Sequence, residues 1–449
     1  MRNHVVDAVM GLCVADALGV PVEFNSRKSL KAKPVKDMRG FGTYNQPAGT
    51  WSDDTSMTLC LVDSLSDGLN FQDIMSKFKA WLIDNDYTPH GEVFDVGIAT
   101  RQAIKKFISG IEPLNCGGTS ERDNGNGSLM RILPLLFYLQ SLYGTDFQEE
   151  VEAFEIIHNV SALTHAHKRS QIACGIYLSV ASMLIGNMDL RIAVDLGIYK
   201  AVEYYKQKSE FLTEINHFNR LTEEGFCNLC ENDIKSTGYV VDTLEAAIWC
   251  LIHSKSYKEC VLMAVNLGDD TDTVAAVVGG LAGLYYGYEN IHKEWVLQIA
   301  KRDYIEGLSK KLHQSLIDKN IKKLTAFIPY FENVSKEIVC HWGGGEKLGE
   351  NHYSMPYPMY EKALDDFIQA VYKSNLINFS YLEVIEQHGL NGTEEMKAAI
   401  GDADLELTLA ILTGYIRQER FCDGLWQSAV EDETFLKLLR RMEGLIALG

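Results

Sequence analysis

Residues 269–288 read DDTDTVAAVVGGLAGLYYGY. Asp269, Asp270 and Asp272 stand directly before a run without charge, Thr273 to Tyr288, which Glu289 closes. The run reads as a helix. It is rich in Gly and falls short of the ~20 apolar residues that a membrane span needs. A second cluster, Ser52-Asp53-Asp54-Thr55, leads in the same way into Met57-Thr58-Leu59-Cys60-Leu61-Val62. Asp53 and Asp269 lie 216 positions apart. Together the clusters offer five carboxylates and several hydroxyls, all hard oxygen donors. That is ligand chemistry for Mg²⁺, Mn²⁺ or Ca²⁺, not for zinc or copper.

Helical periodicity dominates the rest of the chain. Val240, Val241, Leu244, Ala247, Ile248 and Leu251 recur on one helix face. Phe71–Leu82, Ile98–Ile108, Ser170–Ile185 and Val296–Leu312 give similar readings, and clean period-2 strand patterns are scarce. The expected fold is all-α, with long loops at Arg27–Thr50, Ile111–Gly127 and Ser209–Ser236. A domain boundary is expected near residues 315–325. It gives a first domain of residues 1–318 and a small, mainly helical second domain of 319–449. In the tail, Trp342-Gly343-Gly344-Gly345 precedes a polar loop, Glu346–Met355, and an amphipathic helix from Tyr360 to Tyr372. Two or three further helices are expected after it.

The chain has 449 residues, and 46% of them are hydrophobic, as in an ordinary globular protein. Its net charge of −19 makes it a poor partner for nucleic acid or anionic lipid. The first apolar stretch is interrupted by Asp7 and Asp16 and lacks the layout of a signal peptide. A soluble cytoplasmic protein is expected. Ten scattered cysteines, several within apolar helices, fit a reducing compartment better than a disulfide framework.

Capping a helix needs one side-chain oxygen; each cluster supplies more negative charge than a cap uses. Adjacent carboxylates repel unless a cation neutralises them. Asp270 and Asp272 diverge on a regular helix but converge in a non-helical entry turn. Glu23 follows the small-residue helix Gly11–Gly19 in an apolar setting, where desolvation raises its pKa towards an acid/base range. Gly125-Asn126-Gly127-Ser128 precedes a helix start suited to an anion such as a pyrophosphate. In Thr164-His165-Ala166-His167, a helix-entry or ligand-lining role is favoured over a zinc pair. Cys227-Asn228-Leu229-Cys230 has no second pair at zinc-ribbon spacing.

In this order, Gly11–Phe24, Gly49–Met57, Gly125–Pro134, Thr164–Ala173, Gly238–Trp249 and Asn266–Gly287 resemble the ADP-ribosylglycohydrolase family, of the dinitrogenase reductase-activating glycohydrolase type. The resemblance implies a compact helical bundle holding two Mg²⁺ (or Mn²⁺) ions. By position it implies Ser52, Asp53 and Asp54 as one metal trio and Asp270, Asp272 and Thr273 as the other. Glu23, Asp54 and Asp270 are the implied catalytic groups. Asn126, Gly127, Ser128, His165 and Tyr285 are the implied ligand contacts. Ser52 stands where the family more often has Thr, and Asp269 and Ala15 where Gly is frequent. The tail resembles a small domain of unknown function.

The reaction so implied is hydrolytic release of ADP-ribose from a modified acceptor, with arginine on a protein favoured. Negative groups near the ring stabilise the oxocarbenium-like state, and the pyrophosphate rests on backbone N–H groups near Asn126–Ser128. Glu23 or a metal-held Asp handles the protons. A non-catalytic ADP-ribose-binding module remains an alternative, as does a hydrolase of small ADP-ribosyl compounds or ADP-ribosylated nucleic acid. Target contact or homodimerisation is the expected role of the tail.

Overall fold

The computed structural model describes residues 2–186, 188–334, 340–349 and 352–447. Helices form most of both compact units into which the chain divides. One unit comprises residues 2–139 and 146–314. The other comprises 140–145 and the chain from Ser315 onward. The division at 314/315 falls inside a long helix, Arg302–Thr325, and the excursion of 140–145 had no signal in the sequence.

The first unit is built around a pair of helices, His4–Gly19 and Thr271–Tyr286, whose residues are buried nearly all round. A helix apolar on every face belongs in a core. Small residues let the two backbones touch. A Cβ on Gly11 would lie 2.4 Å from the Gly279 carbonyl oxygen, and one on Gly279 would lie 2.3 Å from the Ala15 Cβ. At the far end a Cβ on Gly19 would lie 2.3 Å from the Asp272 Cα, so the chain leaving the first helix starts beside the second acidic cluster. By length and composition the stretch His4–Val22 is apolar enough to cross a membrane, but it is wholly buried inside the protein.

The helix Val240–Ile252 forms as the periodicity predicts, and its apolar residues are buried. Phe71–Asp84, Ile98–Ile108 and Lys168–Leu184 also agree with expectation. The predicted helix Val296–Leu312 is broken. Lys293–Gln298 ends before Arg302–Thr325 begins, and Lys301 between them has a φ of 50°. Tertiary bonds explain the break: Ala300 N–H donates to Gly49 O at 3.0 Å, and the Trp51 indole donates to Ala300 O at 2.9 Å. The loop Arg27–Thr50 contains a short helix, Arg27–Ala32, while the 209–236 loop is a chain of 3₁₀ turns.

In the second unit, Leu364, Phe367, Val371, Ile411, Tyr415, Phe435 and Leu439 share one core. Five α-helices follow Lys362–Lys373 among the described residues, more than the sequence indicated. The stretch before them is not a plain loop. Cys340–Gly343 pairs antiparallel with Tyr357–Tyr360, and Lys347–Gly349 with His352–Tyr353. Part of the expected loop Glu346–Met355, residues 350–351, lies outside the described residues. All ten cysteines are free.

Candidate active site

Two helix starts meet. Ser52 caps the helix Asp53–Asp67, its Oγ accepting from Asp54 N–H at 3.2 Å. Asp270 sits just outside the helix Thr271–Tyr286 with φ −89° and ψ 75°, so it and Asp272 are not bound by helical spacing. Thr273 Oγ1 donates to Asp54 Oδ2 at 3.2 Å, joining the clusters across 219 positions. Ser52 Oγ donates to the same oxygen at 3.0 Å. The positive ends of both helix dipoles therefore face the acids.

Asp16, a residue the sequence reading left unused, completes this group. Oxygens of Asp16, Asp54 and Asp272 come within 4.8 Å of one another, and all three residues are buried. Asp16 accepts from Ser52 N–H, Thr55 N–H and Thr55 Oγ1, so its oxygens are already satisfied and it fixes the helix entry. Its neighbours are not satisfied. Asp54 Oδ1 and Asp272 Oδ2 are buried without a hydrogen-bond partner among the described residues. Burial, reinforced by neighbouring charge, holds Asp53, Asp54 and Asp272 well above the usual carboxylate range. Burial alone pushes Asp16 up to about 7.

Glu23 lies on the other side of Asp272. Oxygens of Glu23, Asp95 and Asp272 also come within 4.8 Å of one another. Glu23 is buried, its Oε2 has no hydrogen-bond partner among the described residues, and burial followed by the Asp95 charge pushes it up to about 9. Tyr44 stands beside both Glu23 and Asp95, and burial followed by these two groups pushes its hydroxyl well up. A backbone clasp holds this segment: Phe24 N–H donates to Asp269 O at 2.7 Å, and Asp269 N–H to Asn25 O at 2.8 Å. Asp269 thus contributes its backbone while its side chain is exposed. Tyr44 and Asp95 both come from loops and carried no motif. The one conformational sign at Asp95 is its φ of 51°, which sequence does not display.

The Gly125–Ser128 loop reaches the site through Asn126. Its Nδ2 donates to Asp270 Oδ2 at 2.8 Å and to Thr243 Oγ1 at 3.0 Å. Asn126 N–H donates to Gly238 O at 3.1 Å and is not free for a pyrophosphate, contrary to the sequence expectation. Ser128 is also differently placed: its Oγ is buried and hydrogen-bonded to Ser161 Oγ at 3.0 Å. Gly127 lies on the His165 ring, where an added Cβ would meet Cε1 at 2.8 Å. His165 is buried, and burial with the nearby Arg131 charge takes it down to about 3. Tyr285 stands apart from the acids. It lies 13 residues beyond Asp272 on one helix, roughly 20 Å away at 1.5 Å per residue, and packs on Tyr286.

His167 is a helix entry, as expected: its Nδ1 accepts from Arg169 N–H at 3.2 Å. With Glu121 and Glu214 it forms another group of ligand type. Arg169, however, donates to both glutamates, at 2.8 and 2.9 Å, and supplies their positive charge itself.

The site residues fit hard divalent cations. Asp54, Asp272 and Glu23 each present a buried acceptor oxygen that no donor among the described residues reaches. A carboxylate buried in this way is costly unless a cation or proton meets it. The available donors are oxygens, with no thiolate or imidazole among the two groups.

Comparison with known proteins agrees with this architecture. The family model for ADP-ribosylglycohydrolase matches residues 1–321, and that of a family of unknown function, DUF6508, matches 316–447. The ADP-ribosylarginine hydrolase Tri1 of Serratia proteamaculans is 31% identical over 318 residues, covering 68% of this chain and 77% of that protein. The ADP-ribosyl-[dinitrogen reductase] glycohydrolase of Rhodospirillum rubrum is 27% identical, over 67% of this chain and 91% of its own length. A solved structure described as an ADP-ribosylglycohydrolase-related protein complex aligns with a TM-score of 0.56 and 28% identity. It covers 70% of this chain and 98% of that one. The chain belongs to the ADP-ribosylglycohydrolase family and is a hydrolase of ADP-ribosyl bonds.

Proposed function

We propose that this protein removes ADP-ribose from arginine side chains of a modified protein, using two Mg²⁺ (or Mn²⁺) ions. Residues 1–318 carry the reaction, and 319–449 form a separate small domain that contacts the target or a second copy. The observation that supports this most is the trio of unpartnered buried oxygens on Asp54, Asp272 and Glu23. Arginine as acceptor rests on the Serratia proteamaculans relative, named for that bond.

Ser52, Asp53 and Asp54 would hold the ions from one side, and Asp270, Asp272 and Thr273 from the other. Ions held there supply a water of lowered pKa and ligation of the ribose hydroxyls. Asn126 aims Asp270 by its 2.8 Å hydrogen bond. Glu23, whose proton burial and Asp95 retain, is placed to protonate the leaving nitrogen as the glycosidic bond breaks. The surrounding carboxylates favour the positive charge that grows on the ring. His165 and Gly127 lie where the ADP-ribose would pass.

The test is direct. Incubate the protein and Mg²⁺ with an arginine-ADP-ribosylated target and follow ADP-ribose release. Release is expected from the native protein and is expected to be lost in Asp54→Asn and Asp270→Asn. Release that survives both substitutions sinks the reading; so does its absence with the arginine target.

A further inference from the structure

Arg131 is wholly buried, yet among the described residues no carboxylate pairs with it. Its Nε and one terminal nitrogen have no hydrogen-bond partner among those residues. The other terminal nitrogen donates to Val160 O at 3.2 Å and to Thr164 Oγ1 at 2.8 Å. The guanidinium carbon stands 4.8 Å from the centre of the Phe78 ring, which offsets part of the buried charge. A buried charge left this bare is costly and calls for an explanation.

The explanation lies one bond further on. Thr164 Oγ1 contacts His165 Nδ1 at 2.9 Å. A guanidinium only donates, so the Thr164 oxygen accepts from Arg131. The hydroxyl has one proton, and among the described residues the remaining partner for it is His165 Nδ1. Nδ1 is then the acceptor, and in a neutral ring Nε2 carries the hydrogen. The Arg131 charge acts in the same direction. It favours a lone pair facing it over an N–H, and it opposes a charged imidazole. Backbone bonds lock the ring's origin: His165 N–H donates to Ser161 O at 2.9 Å, and Ser161 Oγ donates to His165 O at 2.9 Å.

The Nε2–H has no acceptor among the described residues. It lies under the two glycines of the Gly125–Gly127 loop, 3.5 and 3.3 Å from where their Cβ atoms would be. That loop carries Asn126, which holds Asp270. We propose that Arg131 is a positioning residue: through Thr164 it fixes His165 as the neutral Nε2–H tautomer, which donates to an acceptor oxygen of bound ADP-ribose, a hydroxyl or a phosphate. The ligand half of this statement rests on the function proposed above. The tautomer half does not.

Imidazole ¹⁵N spectra of the histidine-labelled protein test the tautomer without ligand. The native protein is expected to show His165 with Nδ1 bare and Nε2 protonated from pH 5 to 8. Thr164→Val removes the hydroxyl at constant shape, so a mixture of tautomers is expected, with Thr164→Ser restoring the native spectrum. ADP-ribose binding by calorimetry is expected to weaken about five- to tenfold in Thr164→Val, the loss of one neutral hydrogen bond. In hydrolysis the loss falls on KM with kcat nearly kept. In a His165→Ala background, Thr164→Val changes affinity no further, which a merely structural role for Thr164 does not predict. Arg131→Met is expected to act in the same direction; if it does not fold, the Thr164 variants decide.

A native His165 that is charged or protonated at Nδ1 overturns the proposal. So does a Thr164→Val protein with native spectrum and affinity. If the native protein binds no ADP-ribose, the function and the ligand half fail together, while the spectra still decide the tautomer.

Discussion

Asp54→Asn separates a metal-binding carboxylate from an ordinary acid in the first turn of a helix. Asp16, Asp54 and Asp272 crowd their oxygens to within 4.8 Å, where two full charges repel by ~3.5 kcal/mol at an effective dielectric of 20. Without metal the folded protein relieves this by keeping protons, with Asp16 up to about 7, Glu23 up to about 9, and Asp54 and Asp272 also raised. The unfolded chain releases those protons near pH 4. Between about pH 4 and 9 the native state therefore binds more protons than the unfolded one, and stability falls as pH rises. Each such proton contributes roughly 1.4 kcal/mol per pH unit. Asn keeps an acceptor for Ser52 and Thr273 but removes one titrating group. From pH 6 to pH 8 in chelator, the variant should therefore lose less stability than the native protein, and its Tm should rise relative to the native one. Mg²⁺ or Mn²⁺ at a hundred times its pH 8 Kd should stabilise the native protein by about 2.7 kcal/mol at pH 8, and by less at the same concentration at pH 6, because its ligands must be deprotonated. The variant should lose most of that shift. Thermal unfolding of both proteins at both pH values, in chelator and in metal, is the assay. The reasoning is refuted if Asp54→Asn loses up to about 1 kcal/mol at each pH, as a lost first-turn charge on the helix dipole does, and still responds to metal as the native protein does.

Other substitutions probe single contacts. Asn126→Ala should free Asp270 and lower kcat/KM at least tenfold while leaving the fold intact, since Asn126 donates to that carboxylate at 2.8 Å; kinetics and circular dichroism check both halves. Gly127→Ala should weaken ADP-ribose binding, because its Cβ meets the His165 ring at 2.8 Å; calorimetry is the measurement. Tyr285→Phe should leave kcat and KM unchanged, since Tyr285 lies at the far end of its helix from Asp272.

The metal-type residues were legible where chemistry and local structure coincide in sequence. Ser52–Asp54 and Asp270–Thr273 open helices, so their oxygens are aimed by local rules. Asp16 was not legible, because in an apolar helix it looks like an interruption; only the fold shows it capping the entry at Ser52 and Thr55. Asp95 and Tyr44 come from loops whose paths are set by distant contacts. Tyr285 shows the opposite limit: its neighbours match, but helix length sets it apart from the acids. The strands at Cys340–Gly343 and Tyr357–Tyr360 escaped notice because Trp342 faces Pro358 and Gly343 faces Tyr357, so no alternation survives. The break at Ile299–Lys301 follows from Trp51 and Gly49, some 250 positions earlier, which periodicity cannot see.

The same contact that makes the fold makes the site. Gly11, Gly279 and Ala15 allow two helices to pack backbone on backbone, and Gly19 then rests on Asp272. Glu23, four residues on, has no route away from the second cluster, and the Phe24–Asp269 clasp closes the remaining freedom. The carboxylates are therefore held together by main-chain packing that their repulsion cannot open. That is the reason their strain is stored in raised pKa values and orphaned oxygens and not relieved by movement. A site so built is ready for a cation before one arrives. It also explains why the protein should be least stable, without metal, at the alkaline pH where its carboxylates are best able to bind one.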